Sequence, residues 1–334
     1  MLNKKRSVLP TLISVAFTVA VLAAVGWVIL NRQFVLDRLN VWWYKPTSDI
    51  TSIINRAGIS DEGRFYYYAS QPAIETSTQF NNDCVQQETG NAILGCYVNK
   101  HIYVYDVTNT QLDGVEEVTA AHETLHVIWD RMSDSEKTSV GNLLEATFEK
   151  INDPSLNDRM SYYARTEPGE RLNELHSILG TEYPNLGPAL EAHYAKYFSV
   201  RSKVVALHTS YESVFANLKA QSDALSIQLD TLKSLINTNT KEYNTEAASI
   251  NNDSIALNNS SSSVDRTSAS QVNAYNAKRQ ALLDRFSALD ALRTQINSET
   301  DDYNAKVTQY NSIVTSTNNL NKSLDSTLAP APSV

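Results

Sequence analysis

All ten glycines of the 334-residue chain lie between Gly26 and Gly187, and no proline occurs between Pro188 and Pro330. Glycine and proline are the strongest breakers of regular structure. The chain therefore changes character near residue 200, from short elements to a long stretch that nothing interrupts. That stretch carries apolar residues at sevenfold spacing. Val204, Tyr211, Leu218, Leu225 and Leu232 form one series; Tyr275, Leu282, Leu289, Ile296, Tyr303 and Tyr310 form another. The run Asn258–Ser263 between them is a polar turn. The spacing predicts two helices folded back as an antiparallel coiled-coil hairpin over 201–325, each arm about 80 Å long. Polar companions such as Gln221 and Gln228 make the expected seam weak, in need of a protein partner or self-association. A solvated helical stalk is the other reading. A flexible tail follows over 326–334.

The opposite end holds a second constraint. Val8 to Leu30 is 23 residues without a charge, and about 20 suffice to cross a bilayer as a helix. Lys4, Lys5 and Arg6 precede it, which keeps the N-terminus in the cytoplasm. The h-region of a cleaved signal peptide is about 7–15 residues, so the longer run reads as an uncleaved signal anchor over 1–33. The expected location is a single-pass cell-membrane protein with its main domains outside the cytoplasm. There, Cys84 and Cys96 can close a small disulfide loop, the alternative being two free thiols. The net charge of −9, without a basic stripe, argues against a nucleic-acid partner.

Between these ends, 34–200 reads as a mixed domain. Trp42-Trp43-Tyr44 suits either a membrane interface or packing on the domain. Phe65–Tyr68 and His101–Tyr105 read as strands, being aromatic and β-branched. From Val115 the period changes: Val118, Ala121, Leu125, Ile128 and Met132 follow steps of three and four, an amphipathic helix. Ser133-Asp134-Ser135-Glu136 is a capping box that opens another. A further helix after Pro168 carries Leu172, Leu175 and Leu179.

The first of these helices carries His122-Glu123-Thr124-Leu125-His126. Residues four apart share a helix face, so both imidazoles can reach one ion. Glu123, rotated about 100° from His122, comes to lie beside that ion, where a carboxylate can serve as general base. Only six histidines occur in the chain, and the motif sits mid-helix with a strand just upstream. A helix with two ordinary histidines is the bland alternative.

Val118–His126 resembles the active-site helix of the zincin metallopeptidases, and the resemblance covers about residues 60–200. It implies an α+β fold, mainly helical with a small sheet, one Zn2+, and hydrolysis of peptide bonds in a protein or peptide substrate. Zincins pair this helix with an upstream edge strand that aligns the substrate; Ile102–Tyr105 is the candidate. Trp129 and Met132 stand where the metzincin glycine and third histidine would be, which excludes that class. What remains is similar to the gluzincins, in which a glutamate on a later helix completes the site. Asn173-Glu174 is similar to their Asn-Glu pair, so Glu174 is the expected third metal ligand beside His122 and His126, with Glu170 and His176 as rivals. The interval to Glu174 exceeds the common one, and a helical insertion over Ser133–Ile151 would account for it. His176 is the preferred transition-state donor over Tyr162, Tyr163 and Tyr183. Asp130 is a candidate to hold a histidine tautomer, and His193 and His208 read as non-functional. The competing expectation is an envelope scaffold that works through the coiled coil, with an inactive or merely metal-binding domain.

Overall fold

A computed structural model describes residues 9–84 and 93–327. It is mostly helical, with one three-stranded sheet. The N-terminal helix α1 (Leu9–Leu30) is long and apolar enough to cross a membrane and is unburied across its span. A signal sequence passes the same test. α2 (Arg32–Trp43) follows after Asn31 alone. α3 (Ser48–Ala57) is capped by the Thr47 side chain.

α4 (Asp61–Ala69) takes in Phe65–Tyr68, which therefore do not form a strand. The Ser60 side chain accepts from Gly63 N–H, and Asp61 and Glu62 fill the first turn, so helix-start chemistry outweighs aromatic strand preference. β1 (Ala73–Glu75) leads to α5 (Ser77–Asp83), and β2 (Gly95–Val98) and β3 (His101–Tyr105) form a tight hairpin. The order β1-β3-β2 has β1 parallel and β2 antiparallel to β3. The strand expected at the edge, Ile102–Tyr105, is thus central. It pairs on both sides because Ile102 and Val104 are fully buried. β2 is the edge. A disulfide joins Cys84, at the end of α5, to Cys96 on β2, with Cα atoms 6.0 Å apart.

α6 (Val115–Arg131) is the central helix of the domain and carries the histidine motif. α7 (Asp134–Ile151) opens on the capping box: Ser133 Oγ accepts from Glu136 N–H and Glu136 accepts from Ser133 N–H. α8 (Pro154–Thr166), started by the Asp153 cap and Pro154, follows at once. α9 (Arg171–Glu182) packs along α6, and α10 (Pro188–Tyr194) completes this part. The core gathers Ile54, Tyr67, Leu125, Ile128, Leu144, Met160, Ile178 and Tyr194.

Two long helices follow, α11 (Ser202–Ser260) and α12 (Ala269–Leu324). The chain divides into two compact units. One runs to Val214 and resumes at Leu320; the other is Phe215–Asn319. The division expected at residue 201 therefore falls later. Val204 and Val205 are buried in the first unit's core, and Tyr211 packs against it, so they do not belong to a hairpin seam. The C-terminal boundary moves too. Ser326, expected in a flexible tail, is buried and donates to Asn81 Oδ1 at 2.7 Å. The rest of that tail, from 328, lies outside the described residues, as do residues 1–8.

Within the second unit, Asn239 contacts Glu299, and Arg285 bonds Glu246 and Asp253, so α11 and α12 run antiparallel there. Between 218 and 243 the shielded positions of α11 are Leu218, Ser222, Leu225, Leu229, Leu232, Ile236, Asn239 and Tyr243, in steps of four and three. Gln221 and Gln228 are exposed. The companion positions lie one residue later than expected and are mostly apolar.

Candidate metal centre

α6 and α9 lie close enough to share side chains because Gly180 sits where they meet. A Cβ there would strike Leu125 Cδ1 and lie 2.8 Å from Tyr194 Cε1. One turn of α6 offers His122 and His126, with ring centroids 4.7 Å apart. α9 offers Glu174. Its Oε2 is 3.7 Å from His122 Nε2 and its Oε1 is 3.5 Å from His126 Nε2. Donors sharing one tetrahedral ion at 2.0–2.1 Å stand about 3.3 Å apart. The two imidazoles and the carboxylate thus have nearly the spacing of a common coordination sphere. His122, Glu123 and His126 also form a group whose ligand atoms lie within 4.8 Å of one another, able to hold a metal ion.

The tautomer of His126 suits a ligand. Its Nδ1 lies 2.9 Å from Asn173 Oδ1, an acceptor, so Nδ1 carries a hydrogen and Nε2 is the nitrogen turned toward Glu174, free to exchange a proton for a metal. Asn173 is held in turn, its Nδ2 donating to Glu170 Oε2 at 2.9 Å. Glu170 thus supports Asn173 one turn before Glu174. Asp130 does not hold a histidine. It sits at the far end of α6 with Tyr97, Lys100 and Arg131.

Electrostatics follow from burial and proximity. Burial pushes the Glu123 carboxyl up, against the pull of the two imidazoles. At Glu174 burial acts in the same sense, but His126 and His122 outweigh it and hold the carboxyl below its usual range. Burial lowers His126, and the Glu174 and Glu123 carboxylates more than compensate, raising it.

These groups open onto a cleft of about 1040 Å³. Its walls are β2, the exposed side of α6, Tyr163 and Arg159 from α8, the segment around Glu167, and His208 and Tyr211 from the start of α11. β2 is pressed against the motif. A Cβ at Gly95 would lie 2.5 Å from Thr119 Cγ2 and 2.9 Å from Glu123 Oε1. The sheet edge thus runs directly past the Glu123 carboxylate.

His176 is not in the cleft. Two residues beyond Glu174 on a helix, it points about 200° away, where it is fully buried and stacked on Tyr194. Its Nε2 meets His193 Nε2 at 2.9 Å. Tyr183 donates to Asp153 at 2.7 Å. Among the residues that do line the cleft, and that sequence reasoning passed over, are His208, Arg159 and Glu182. Arg159 pairs with Glu182 through two bonds of 2.6 and 2.9 Å, and His208 Nε2 lies 3.4 Å from the same carboxylate. The signal for His208 was its spacing: four after Val204 and three before Tyr211, it shares their inward face. Arg159 gave no signal, because α8 itself went unread.

No protein-family model, no curated protein and no solved structure matches the chain.

Proposed function

We propose that this chain is a membrane-anchored zinc metallopeptidase, with α1 as its anchor. The observation that carries the reading is the convergence of His122, His126 and Glu174, with the Glu123 carboxylate beside them at the bottom of a cleft. Two imidazoles and a carboxylate are a donor set suited to zinc in an open, catalytic site. Zinc, when bound, supplies Lewis acidity that makes water easier to deprotonate and polarises a carbonyl.

The chain's own residues do the rest. Glu123, its affinity for a proton raised by burial, accepts the proton of the attacking water and returns it to the departing amine. Asn173 fixes the His126 ring. Among the described residues β2 pairs only with β3, and its outer edge, which borders the cleft, supports an extended peptide substrate lying across Glu123. His208 also lines the cleft, with its Nε2 turned to the Glu182 carboxylate that Arg159 holds. His176, fully buried elsewhere, is unsuited to donate to charge developing on the carbonyl oxygen.

Metal analysis of the purified chain tests the reading. The expectation is about one zinc per chain, as a single catalytic site holds, and near-complete loss in His126→Ala. Zinc content unchanged by that substitution would overturn it.

A second reading, an envelope scaffold, draws on helices of 59 and 56 residues. Their regular apolar spacing supports a coiled coil that recruits a protein partner or a second copy. The two readings are compatible, with the long helices delivering substrate.

A further inference from the structure

The helix α2 is amphipathic the wrong way round for a helix in water. Its polar side faces the protein. Gln33 donates to Asp37 at 2.8 Å, the buried Asp37 accepts from Arg131 at 2.9 and 3.0 Å, and Asn40 donates to the Ala69 carbonyl at 3.0 Å. Its apolar side faces outward. Leu36, Leu39 and Trp43 follow steps of three and four with Trp42 alongside, and the two tryptophans are 69% and 65% exposed. The Trp-Trp-Tyr run is split by the fold: Tyr44 donates to the Pro72 carbonyl and packs inward, while both tryptophans point away.

We infer that this outward face of α2 lies on the lipid headgroup layer, an inference that rests on α1 being a membrane anchor. Three features select lipid as the occupant. The apolar surface continues that of α1, none of which is buried over Leu12–Leu30. Tryptophan is favoured at the membrane interface, where its ring is apolar and its N–H meets water. The exposed charges are complementary to anionic lipid: Arg32, Arg38 and Lys45 are all exposed, and the one acid between Asn31 and Ser48 is the buried Asp37, in a chain of net charge −9.

The geometry then requires α2 to lie along the surface. A helix of 12 residues is about 18 Å long, and the headgroup layer only about 5–7 Å deep, so an upright α2 would lift Trp43 into water. The backbone permits the turn, because Asn31 leaves helical geometry, at φ −109° and ψ 27°. Laid down this way, α2 fixes the first unit against the bilayer through Asp37–Arg131, a contact at the C-terminal end of the motif helix α6.

The test uses the full chain in vesicles of phosphatidylcholine and phosphatidylglycerol whose acyl chains carry bromine near the headgroup. The four tryptophans are Trp27 in α1, Trp42, Trp43 and Trp129, the last buried in the protein. In Trp27→Phe, emission comes from Trp42, Trp43 and the shielded Trp129, and it should fall by about half in brominated vesicles. In Trp42→Phe/Trp43→Phe the same lipids, or lipids brominated deeper, report on Trp27. Quenching of Trp27 without quenching of the pair overturns the inference and leaves the anchor standing. An unquenched pair with blue-shifted emission replaces lipid by a protein contact. Absence of quenching in both variants removes the anchor and the inference together.

Discussion

His126 Nε2 and Glu174 Oε1 stand 3.5 Å apart across the packed faces of α6 and α9. Two residues on different helices, with burial pushing the carboxyl up and the imidazole down, are instead held toward their charged forms by one another. A cation bound between them would take the place of the proton that His126 Nε2 holds in this pair. Glu174→Ala is expected to abolish zinc retention, whereas Asn173→Ala, which only frees the His126 ring, should weaken zinc by roughly 10–100-fold. Competition with a chelator of known affinity measures both, and equal losses would show that Asn173 does more than orient.

Gly95 is the point where the sheet edge meets the general-base candidate. In Gly95→Ala the new Cβ meets Thr119 and Glu123, so β2 or the carboxylate must shift. A cost of about 1–3 kcal/mol is expected in urea unfolding. Peptide hydrolysis should fall while zinc content is kept. Loss of zinc instead would mean that the strain spreads to the histidines.

Much of this site was legible in the sequence, and the misses have identifiable causes. The motif and its helix follow from residue spacing on a single helix, where direction is fixed by the helical repeat; Glu174, on another helix, was suggested only by the resemblance of Asn173-Glu174 to a family pattern. His176 failed by the same geometry: neighbours two apart on a helix face opposite ways. Phe65–Tyr68 misled because composition was weighed above the Ser60 cap that starts the helix. The exchange of β3 for β2 as the sheet edge depended on pairing with β1, a contact 30 residues away in the chain that no local pattern encodes. In α11 Leu218, Leu225 and Leu232 are shielded at their sevenfold spacing, but the companions were placed at Gln221 and Gln228, one residue before the shielded Ser222 and Leu229, which made that face look more polar than it is.

The buried His176–His193 pair predicts acid sensitivity. Burial pushes His193 down to about 4 and His176 down as well. A folded-state pKa below the unfolded value near 6.5 means that protons favour the unfolded chain. Stability is therefore full above about pH 6.5 and is lost as pH falls toward 4, by about 2–3 kcal/mol for His193. Urea unfolding of the zinc-free chain at several pH values checks this, and His193→Gln should flatten the dependence. A stability that rose on acidification would contradict it.

In the second unit, Asn239 is buried and its Nδ2 lies 2.9 Å from both oxygens of Glu299. Asn239→Ala removes both bonds to the half-buried Glu299, which keeps its bond from Gln295 Nε2, and should destabilise the helix pair by about 1 kcal/mol. Asn239→Leu with Glu299→Leu should restore or exceed the original stability while loosening the register. Thermal unfolding, together with cysteine cross-linking across α11 and α12, separates stability from register.

Peptide hydrolysis by wild type and by Glu123→Gln, each shown to hold the same amount of zinc, measures the central claim most directly. The account predicts that the variant keeps its metal and loses turnover by at least about 100-fold, as befits removal of a general base. Equal hydrolysis by the two proteins at equal zinc content would contradict it.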